Sequence, residues 1–216
     1  MFGNIGIHTA SLRFLERDAA ALHSELADEY SSFYSLTKAS RARETEWLAS
    51  RVLLRRFLRR LGLNLNLKMD PDFGFPELID PVTQTPAPFF ASWSHTENRI
   101  VAAGSDLPVG IDIERWDRPV AHLLRRFACD GETELLSPIE LWCAKEAVAK
   151  ATGLGMRWGL KNFEVLGKEG PVWKVGIRNA GPRLLKDPAV VFSTQEPYLI
   201  ALCGERAQLL AALSSS

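Results

Sequence analysis

The sequence has few cysteines, no net charge and no long hydrophobic run. Three cysteines in 216 residues are too few, and odd in number, for a disulfide framework, and their spacing matches no zinc motif. The first twenty residues lack a basic region followed by an apolar run, so we expect no signal peptide. No stretch approaches the roughly eighteen uncharged apolar residues of a membrane span. These absences predict a reduced, cytoplasmic protein without a membrane segment.

The charge balance and the composition further narrow the class of protein and its partners. The 26 basic and 26 acidic residues cancel, so no global field favours nucleic acid or an anionic membrane as a partner. Any anion site must therefore come from local clustering. A hydrophobic content of 46% with 24% charged residues is typical of a folded globular protein.

The order of the predicted elements indicates two units of similar organisation. Each half offers a strand, then helices, then a run of strands, whereas residues 64–88 are rich in Pro, Asp and Asn and predict mostly loop. We therefore expect an α+β fold of two similar α/β lobes related by a pseudo-twofold, each a small, mostly antiparallel sheet packed with helices. The predicted lobes are residues 1–108 and 109–216, with a ligand cleft between them. The predicted strands lie at 4–12, 89–94, 99–105, 109–114, 162–167, 171–177, 189–195 and 197–203, and the predicted helices at 18–30, 40–61, 119–127 and 138–152.

The segment VGIDIE places two carboxylates on one face of a predicted strand. Because side chains alternate along a strand, Asp112 and Glu114 point away from Ile111 and Ile113 and lie roughly 7 Å apart. A hard cation such as Mg²⁺ takes one or two carboxylates together with substrate phosphate oxygens. A solvated strand face is the alternative explanation. The missing side chain of Gly110 would let a ligand or another backbone approach the strand.

The segment LWCAKEAVAKATG separates into two helical faces at about 100° per residue. Small apolar residues occupy one face, and Trp142, Glu146 and Lys150 form an i, i+4, i+8 row on the other, with Lys145 beside it. An ordinary surface pair between Glu146 and Lys150 would explain this row. Alternatively, Glu146 adds a third carboxylate to the pair on the strand, and the two lysines supply positive charge for a phosphate.

Two further segments offer candidates for binding an anion. Arg51 opens the basic stretch RVLLRRFLRR, and like the preceding Arg43 it lies on or beside the apolar face of a predicted helix. Each of these arginines could meet an anion in a cleft or form a structural ion pair, for example with Glu46. In the segment SWSHT, His95 lies in a predicted turn among hydroxyl groups that could bind phosphate oxygens. A turn histidine can equally be structural.

Taken together, these segments resemble the 4′-phosphopantetheinyl transferase superfamily, in particular its two-lobed monomeric type. The family pattern is roughly (V/I)G(I/V)D(I/V)E followed by WxxKEAxxK, which VGIDIE and WCAKEAVAK match, with SWSHT upstream. The resemblance extends weakly from about residue 40 to residue 165. The sequence departs from the pattern at Phe75, where members often have lysine, and at Ser92, where asparagine is common.

The resemblance implies a Mg²⁺-dependent enzyme, with Mn²⁺ as an alternative metal. Such an enzyme transfers 4′-phosphopantetheine from coenzyme A to a serine of an apo acyl or peptidyl carrier protein and releases 3′,5′-ADP. The metal ligands that the resemblance implies are Asp112, Glu114 and Glu146. Glu146 or a metal-bound water would take the serine proton, Glu132 would share that role, and Lys150 would aid the departing nucleotide. The implied contacts to coenzyme A are Arg43, Arg51, Ser94, His95, Lys145 and Lys150.

Two other functions stay open on the sequence alone. One is a non-catalytic module that binds coenzyme A or a carrier protein, which Phe75 favours because a usual lysine contact is missing. The other is a different metal-dependent phosphoryl enzyme, such as a nuclease, which the neutral net charge disfavours. We expect a monomer that engages neither nucleic acid nor membrane.

Overall fold

A computed structural model of the chain describes residues 5–11, 41–69, 76–179 and 181–214. The strands are β1 (Gly6–Ser11), β2 (Asn66–Met69), β3 (Pro76–Ile79), β4 (Phe90–Thr96), β5 (Arg99–Ser105), β6 (Gly110–Arg115), β7 (Phe163–Glu169), β8 (Val172–Ile177), β9 (Pro188–Gln195) and β10 (Tyr198–Glu205). The α-helices are α1 (Arg41–Arg60), α2 (Leu124–Phe127), α3 (Glu132–Leu135), α4 (Pro138–Thr152) and α5 (Arg206–Ser214), with 3₁₀ turns at Ala121–Leu123, Gly155–Trp158 and Leu160–Asn162. The predicted helix at 18–30 and the departure at Phe75 lie outside the described residues.

The strands form antiparallel sheets, which confirms the predicted α+β class with two sheet-and-helix units. One sheet has the order β1-β5-β4, and the other has the order β6-β10-β9-β8-β7. A separate hairpin pairs β2 with β3, so the prediction of mostly loop over residues 64–88 is wrong at these two strands. The hairpin forms because Leu78 is buried and Leu67 packs against the same apolar cluster.

Helix α1 covers one face of the three-stranded sheet. Its residues Leu48, Val52 and Leu53 form one apolar cluster with Ile100 and Ala102 of β5. Packing against this sheet stabilises a helix whose outer face carries several arginines, as the amphipathic pattern predicts. No helix within the described ranges is long and apolar enough to cross a membrane.

Helix α4 begins and ends at residues with clear local signals. Ser137 and Glu140 form a capping box, in which the Ser137 backbone N–H donates to Glu140 Oε2 at 2.9 Å, and Pro138 occupies the first turn. Gly153 ends the helix with a left-handed φ of 71°. The predicted small-residue face is buried in the largest apolar cluster, against the five-stranded sheet: Cys143, Ala144, Ala147, Val148 and Ala151.

Strand β6 approaches the backbone of α4 directly. A Cβ at Gly110 would overlap the carbonyl oxygen of Ala147, so only glycine allows this approach. Of the two neighbours expected at Gly110, a ligand or another backbone, the structure shows a backbone, that of helix α4.

The two sheets meet along β4 and β6. The Ser92 hydroxyl of β4 accepts a hydrogen bond from the backbone N–H of Ile111 at 3.0 Å, and Val101 shares an apolar cluster with Val109. The core is thus continuous across residue 108, and the described sheets are unequal, with three strands against five. The division into separate domains at 108/109 stays a prediction.

Candidate functional site

Both carboxylates of the VGIDIE strand are buried. Asp112 is 3% exposed and Glu114 is 6% exposed, while Ile111 and Ile113 on the opposite face lie in the core. The alternative of a solvated strand face is therefore wrong. Buried carboxylates are costly unless cations or hydrogen-bond donors surround them, so their partners decide what the site can do.

Asp112 is held by groups from two other elements. Its Oδ1 accepts a hydrogen bond from Ser94 Oγ of β4 at 2.7 Å and an ion pair from Lys150 Nζ of α4, also at 2.7 Å. Lys150 Nζ also donates to the carbonyl oxygen of Ile111 at 3.2 Å. The other oxygen, Oδ2, is buried and accepts no hydrogen bond from a nitrogen or oxygen of any described residue. Burial and the nearby Asp112 carboxylate raise the pKa of the Cys143 thiol. A buried carboxylate oxygen without a donor is uncommon, and it is suited to binding a cation.

Glu114 lies under an arginine and a tryptophan. Its Oε1 pairs with the guanidinium of Arg118 and accepts a hydrogen bond from Trp142 Nε1 at 3.2 Å. The guanidinium also lies over the Trp142 ring, with its central carbon 5.2 Å from the ring centroid. Trp142 in turn packs edge-on against Phe127 at a centroid distance of 5.3 Å. The tryptophan at the head of the predicted row thus orients a carboxylate of the neighbouring strand.

Glu146 completes the acidic group from the helix side. Burial raises the pKa of this carboxyl, and the negative charge of Asp112 raises it further, whereas Lys150 and Arg118 lower it. The predicted row on α4 therefore faces Asp112, which does not fit an ordinary solvated pair. A glutamate with a raised pKa holds a proton more readily than a solvated one, which suits a proton acceptor.

The three carboxylates fit a hard cation in their chemistry. In the conformation described, no three Asp, Glu, His or Cys side chains from the described ranges are grouped closely enough to hold a metal ion. Asp112 nevertheless offers a buried oxygen that lacks a nitrogen or oxygen donor among the described residues, and oxygen ligands are those that Mg²⁺ prefers. Asp112, Glu114 and Glu146 thus stay the candidate metal ligands.

Lys145 and Glu132 form a buried pair with each other. Each is 1% exposed, and Lys145 Nζ lies 2.6 Å from Glu132 Oε2. The ammonium also donates to the carbonyl oxygens of Phe127 and Phe163, both at 2.8 Å, and Glu132 Oε1 accepts from the Val165 N–H at 2.7 Å. These contacts indicate a structural pair. The expected contact of Lys145 with a phosphate and the expected role of Glu132 as a base stay predictions.

Ser94 and His95 point to opposite sides of β4. The strand runs to Thr96, past the start of the predicted turn, so its alternation sends Ser94 to Asp112 and leaves His95 40% exposed. His95 Nε2 lies 3.9 Å from Glu46 Oε2 of α1. The contacts with coenzyme A expected for Ser94 and His95 stay predictions, and the two side chains lie on different sides of the strand.

Arg51 lies on the His95 side of β4. It is 6% exposed, and its guanidinium carbon lies 5.5 Å from the centroid of the Trp93 ring. Trp93 and His95 share a strand face because they are two residues apart. Arg43 lies in α1, and its side chain is outside the described part of the structure. Arg51 and His95 thus lie on the other side of β4 from Ser94 and its hydrogen bond to Asp112.

A polar cavity adjoins Glu114. It has a volume of about 480 Å³, within the range of small-molecule sites. Both units contribute to its lining: Thr96, Glu97, Glu114, Arg115, Asp117, Arg118 and Pro119. A cavity of this kind, beside buried carboxylates, is where a charged ligand would meet the candidate metal ligands.

Sequence reasoning missed Arg118 as a member of the site. No motif marks it, and its four-residue distance from Glu114 spans a strand end, where helical spacing does not apply. Its only signal is a basic residue shortly after a DxE pair.

Comparison with known proteins gives a family match over part of the chain. Residues 108–203 match the model of the 4′-phosphopantetheinyl transferase superfamily, which confirms the predicted resemblance over that segment. The segment includes Asp112, Glu114, Glu146 and Lys150.

Two curated proteins are similar to part of the chain. One is the 4′-phosphopantetheinyl transferase psf-1 of Bacillus pumilus, 39% identical over 94 residues that cover 38% of this chain and 40% of that protein. The other is slr0495 of Synechocystis sp., provisionally named a 4′-phosphopantetheinyl transferase, 32% identical over 127 residues that cover 52% of this chain and 50% of that protein. The chain thus spans about half or less of the length of these relatives.

Proposed function

We propose that this protein transfers 4′-phosphopantetheine from coenzyme A to a serine of an apo acyl or peptidyl carrier protein. The observation that carries this proposal is the buried Asp112 carboxylate, which pairs with Lys150 at Oδ1, has no nitrogen or oxygen donor among the described residues at Oδ2 and raises the pKa of Glu146 in addition to the effect of burial, within the segment that matches the family model. Phosphoryl transfer depends mainly on positioning and charge neutralisation, which such a group supplies.

The reaction forms one bond to phosphorus and breaks another. The serine oxygen of the carrier attacks the phosphorus next to pantetheine, and the bond from this phosphorus to the bridging oxygen of the pyrophosphate breaks. The 3′,5′-ADP leaves with the electrons of that bond. The serine proton passes to Glu146, whose raised pKa suits an acceptor. Lys150, which is 28% exposed and pairs with Asp112, neutralises charge on the departing phosphate.

Asp112, Glu114 and Glu146 would hold Mg²⁺ or Mn²⁺. The ion would neutralise negative charge on the pyrophosphate. His95 and Arg51 would contact the nucleotide phosphates from the first unit. The first 108 residues would thus bind the nucleotide, and residues 109–216 would carry the metal site and the catalytic helix α4, in a cytoplasmic monomer.

Incubation with coenzyme A, Mg²⁺ and a panel of apo carrier proteins tests the proposal. Mass spectrometry should show the mass of one phosphopantetheine added to at least one carrier, and Glu146→Ala should abolish the transfer while the protein stays folded. Folded wild-type protein that modifies no carrier would refute the transferase function. Metal-independent binding of coenzyme A without turnover would instead favour a binding module.

A further inference from the structure

Arg118 lies beside Glu114, one of the three candidate metal ligands. It forms an ion pair with Glu114, and its guanidinium lies over the ring of Trp142. The side chain is 43% exposed, so it reaches the carboxylates from the solvent side. Arg118 lies outside the VGIDIE and WCAKEAVAK segments.

The contact with Glu114 places Arg118 in competition with a metal ion. Glu114 Oε1 already accepts from the guanidinium and from Trp142 Nε1, so a cation that binds this oxygen must displace the arginine. Two positive groups at contact distance also repel each other. The situation differs at Asp112, where Lys150 engages Oδ1 and the other oxygen has no nitrogen or oxygen donor among the described residues.

The adjoining cavity offers a place for the displaced guanidinium. Arg118 and Arg115 both line this space of about 480 Å³. A guanidinium presents a planar fork of donors that matches phosphate oxygens, and it is weakly hydrated compared with an ammonium. A pyrophosphate drawn to the metal ion at Glu114 would lie beside this cavity.

We propose that Arg118 competes with the metal ion for Glu114 and, once displaced, binds a phosphate of coenzyme A in the adjoining cavity. This inference rests on the proposed transferase function. It makes Arg118 a ligand-binding residue with opposite effects on two ligands: it weakens the binding of Mg²⁺ and strengthens the binding of coenzyme A.

Calorimetry on Arg118→Gln tests both effects in the folded full chain. Titration with MgCl₂ alone should show binding roughly 3- to 10-fold tighter than in the wild type, since a competing ion pair has been removed. Titration with coenzyme A at saturating Mg²⁺ should show binding roughly 3- to 10-fold weaker, since a phosphate contact has been lost. A merely structural role of Arg118 would weaken the binding of both ligands.

Arg115→Gln is the matched control. Arg115 lines the same cavity and carries the same charge, but it pairs with Asp117 at 2.6 Å and Glu97 at 3.3 Å instead of Glu114. Its loss should change the affinity for Mg²⁺ by less than about 2-fold, because exposed pairs contribute little. If Arg118→Gln melts far below the wild type, Arg118→Lys serves as the second variant. It should shift both affinities in the same directions by smaller factors.

The outcomes separate this inference from the proposed function. Wild-type protein that binds Mg²⁺ and coenzyme A, with an Arg118→Gln variant that binds Mg²⁺ no more tightly, overturns the inference alone. Equal gains in Mg²⁺ affinity for Arg118→Gln and Arg115→Gln overturn it as well, since they would show a general charge effect. Wild-type protein that binds neither ligand refutes the proposed function, and the inference with it.

Discussion

Replacing Glu132 by glutamine would remove the negative partner of a fully buried lysine. Both Glu132 and Lys145 are 1% exposed, and each carboxylate oxygen of Glu132 accepts a hydrogen bond: Oε1 from the Val165 N–H, and Oε2 from Lys145 Nζ and the Cys129 N–H. Glutamine has the same shape but only one oxygen. Whichever way its amide is turned, its NH₂ group faces a donor that has lost its acceptor.

The expected loss of stability follows from that burial. Removing one partner of a buried ion pair costs about 3–5 kcal/mol, and because glutamine retains the packing we expect about 3 kcal/mol. For a chain of this length, each kcal/mol lowers the melting temperature by about 2–4 °C, so the midpoint should fall by roughly 6–12 °C. Adding Lys145→Met removes the stranded charge and should restore at least half of the loss.

Differential scanning calorimetry and a carrier-modification assay check the two sides of this prediction. Glu134→Gln, at an exposed residue in the same short helix, should melt with the wild type. Transfer per folded molecule of Glu132→Gln should stay within about 3-fold of the wild type, whereas loss of a general base costs about 10²–10⁴-fold. An unchanged midpoint with a 100-fold slower reaction would refute the structural assignment and return Glu132 to the chemistry.

Two further predictions concern the surroundings of β6. Gly110→Ala should lower the free energy of unfolding in denaturant by about 1–3 kcal/mol, because its Cβ would overlap the carbonyl oxygen of Ala147. Gly204→Ala is the control, because its Cβ would meet nothing nearer than 3.6 Å. Wild-type stability of Gly110→Ala would contradict the close approach of strand and helix. Ser94→Ala should weaken Mg²⁺ binding by about 10-fold in calorimetry, since Asp112 loses the hydroxyl that orients it. An unchanged isotherm would show that this hydrogen bond does not matter to the metal.

Elements with strong local patterns could be predicted from the sequence. Helix α4 was predicted at 138–152 and begins and ends at those residues, because a capping box, a first-turn proline and a terminal glycine all mark it. The alternation of VGIDIE gave the correct strand and the correct faces for Asp112 and Glu114. The sequence also indicates a close approach at Gly110, but it does not indicate that the approaching group is the backbone of Ala147.

The parts that depend on tertiary neighbours could not be predicted. A helical wheel gives the angle of Lys145 on α4, but only the fold brings the carbonyl oxygens of Phe127 and Phe163 to its ammonium. Similarly, the separation of Ser94 from His95 depends on whether β4 continues past residue 95, and turn signals do not fix such a boundary. Arg118 reaches Glu114 through the path of the chain after β6, which no periodicity encodes.

The hydrogen bond from the Ser94 hydroxyl to Asp112 connects the candidate metal site to the first sheet. The segment that matches the family model starts at residue 108, yet the carboxylate at its centre is held in part by a strand that ends at Thr96. Asp112 therefore connects the two sheets by a hydrogen bond between β4 and β6. Because a ligand that binds only the assembled site stabilises everything the site requires, a metal ion there would protect β4 as well as β6 from local opening. Amide hydrogen exchange should therefore slow in both strands together when Mg²⁺ binds.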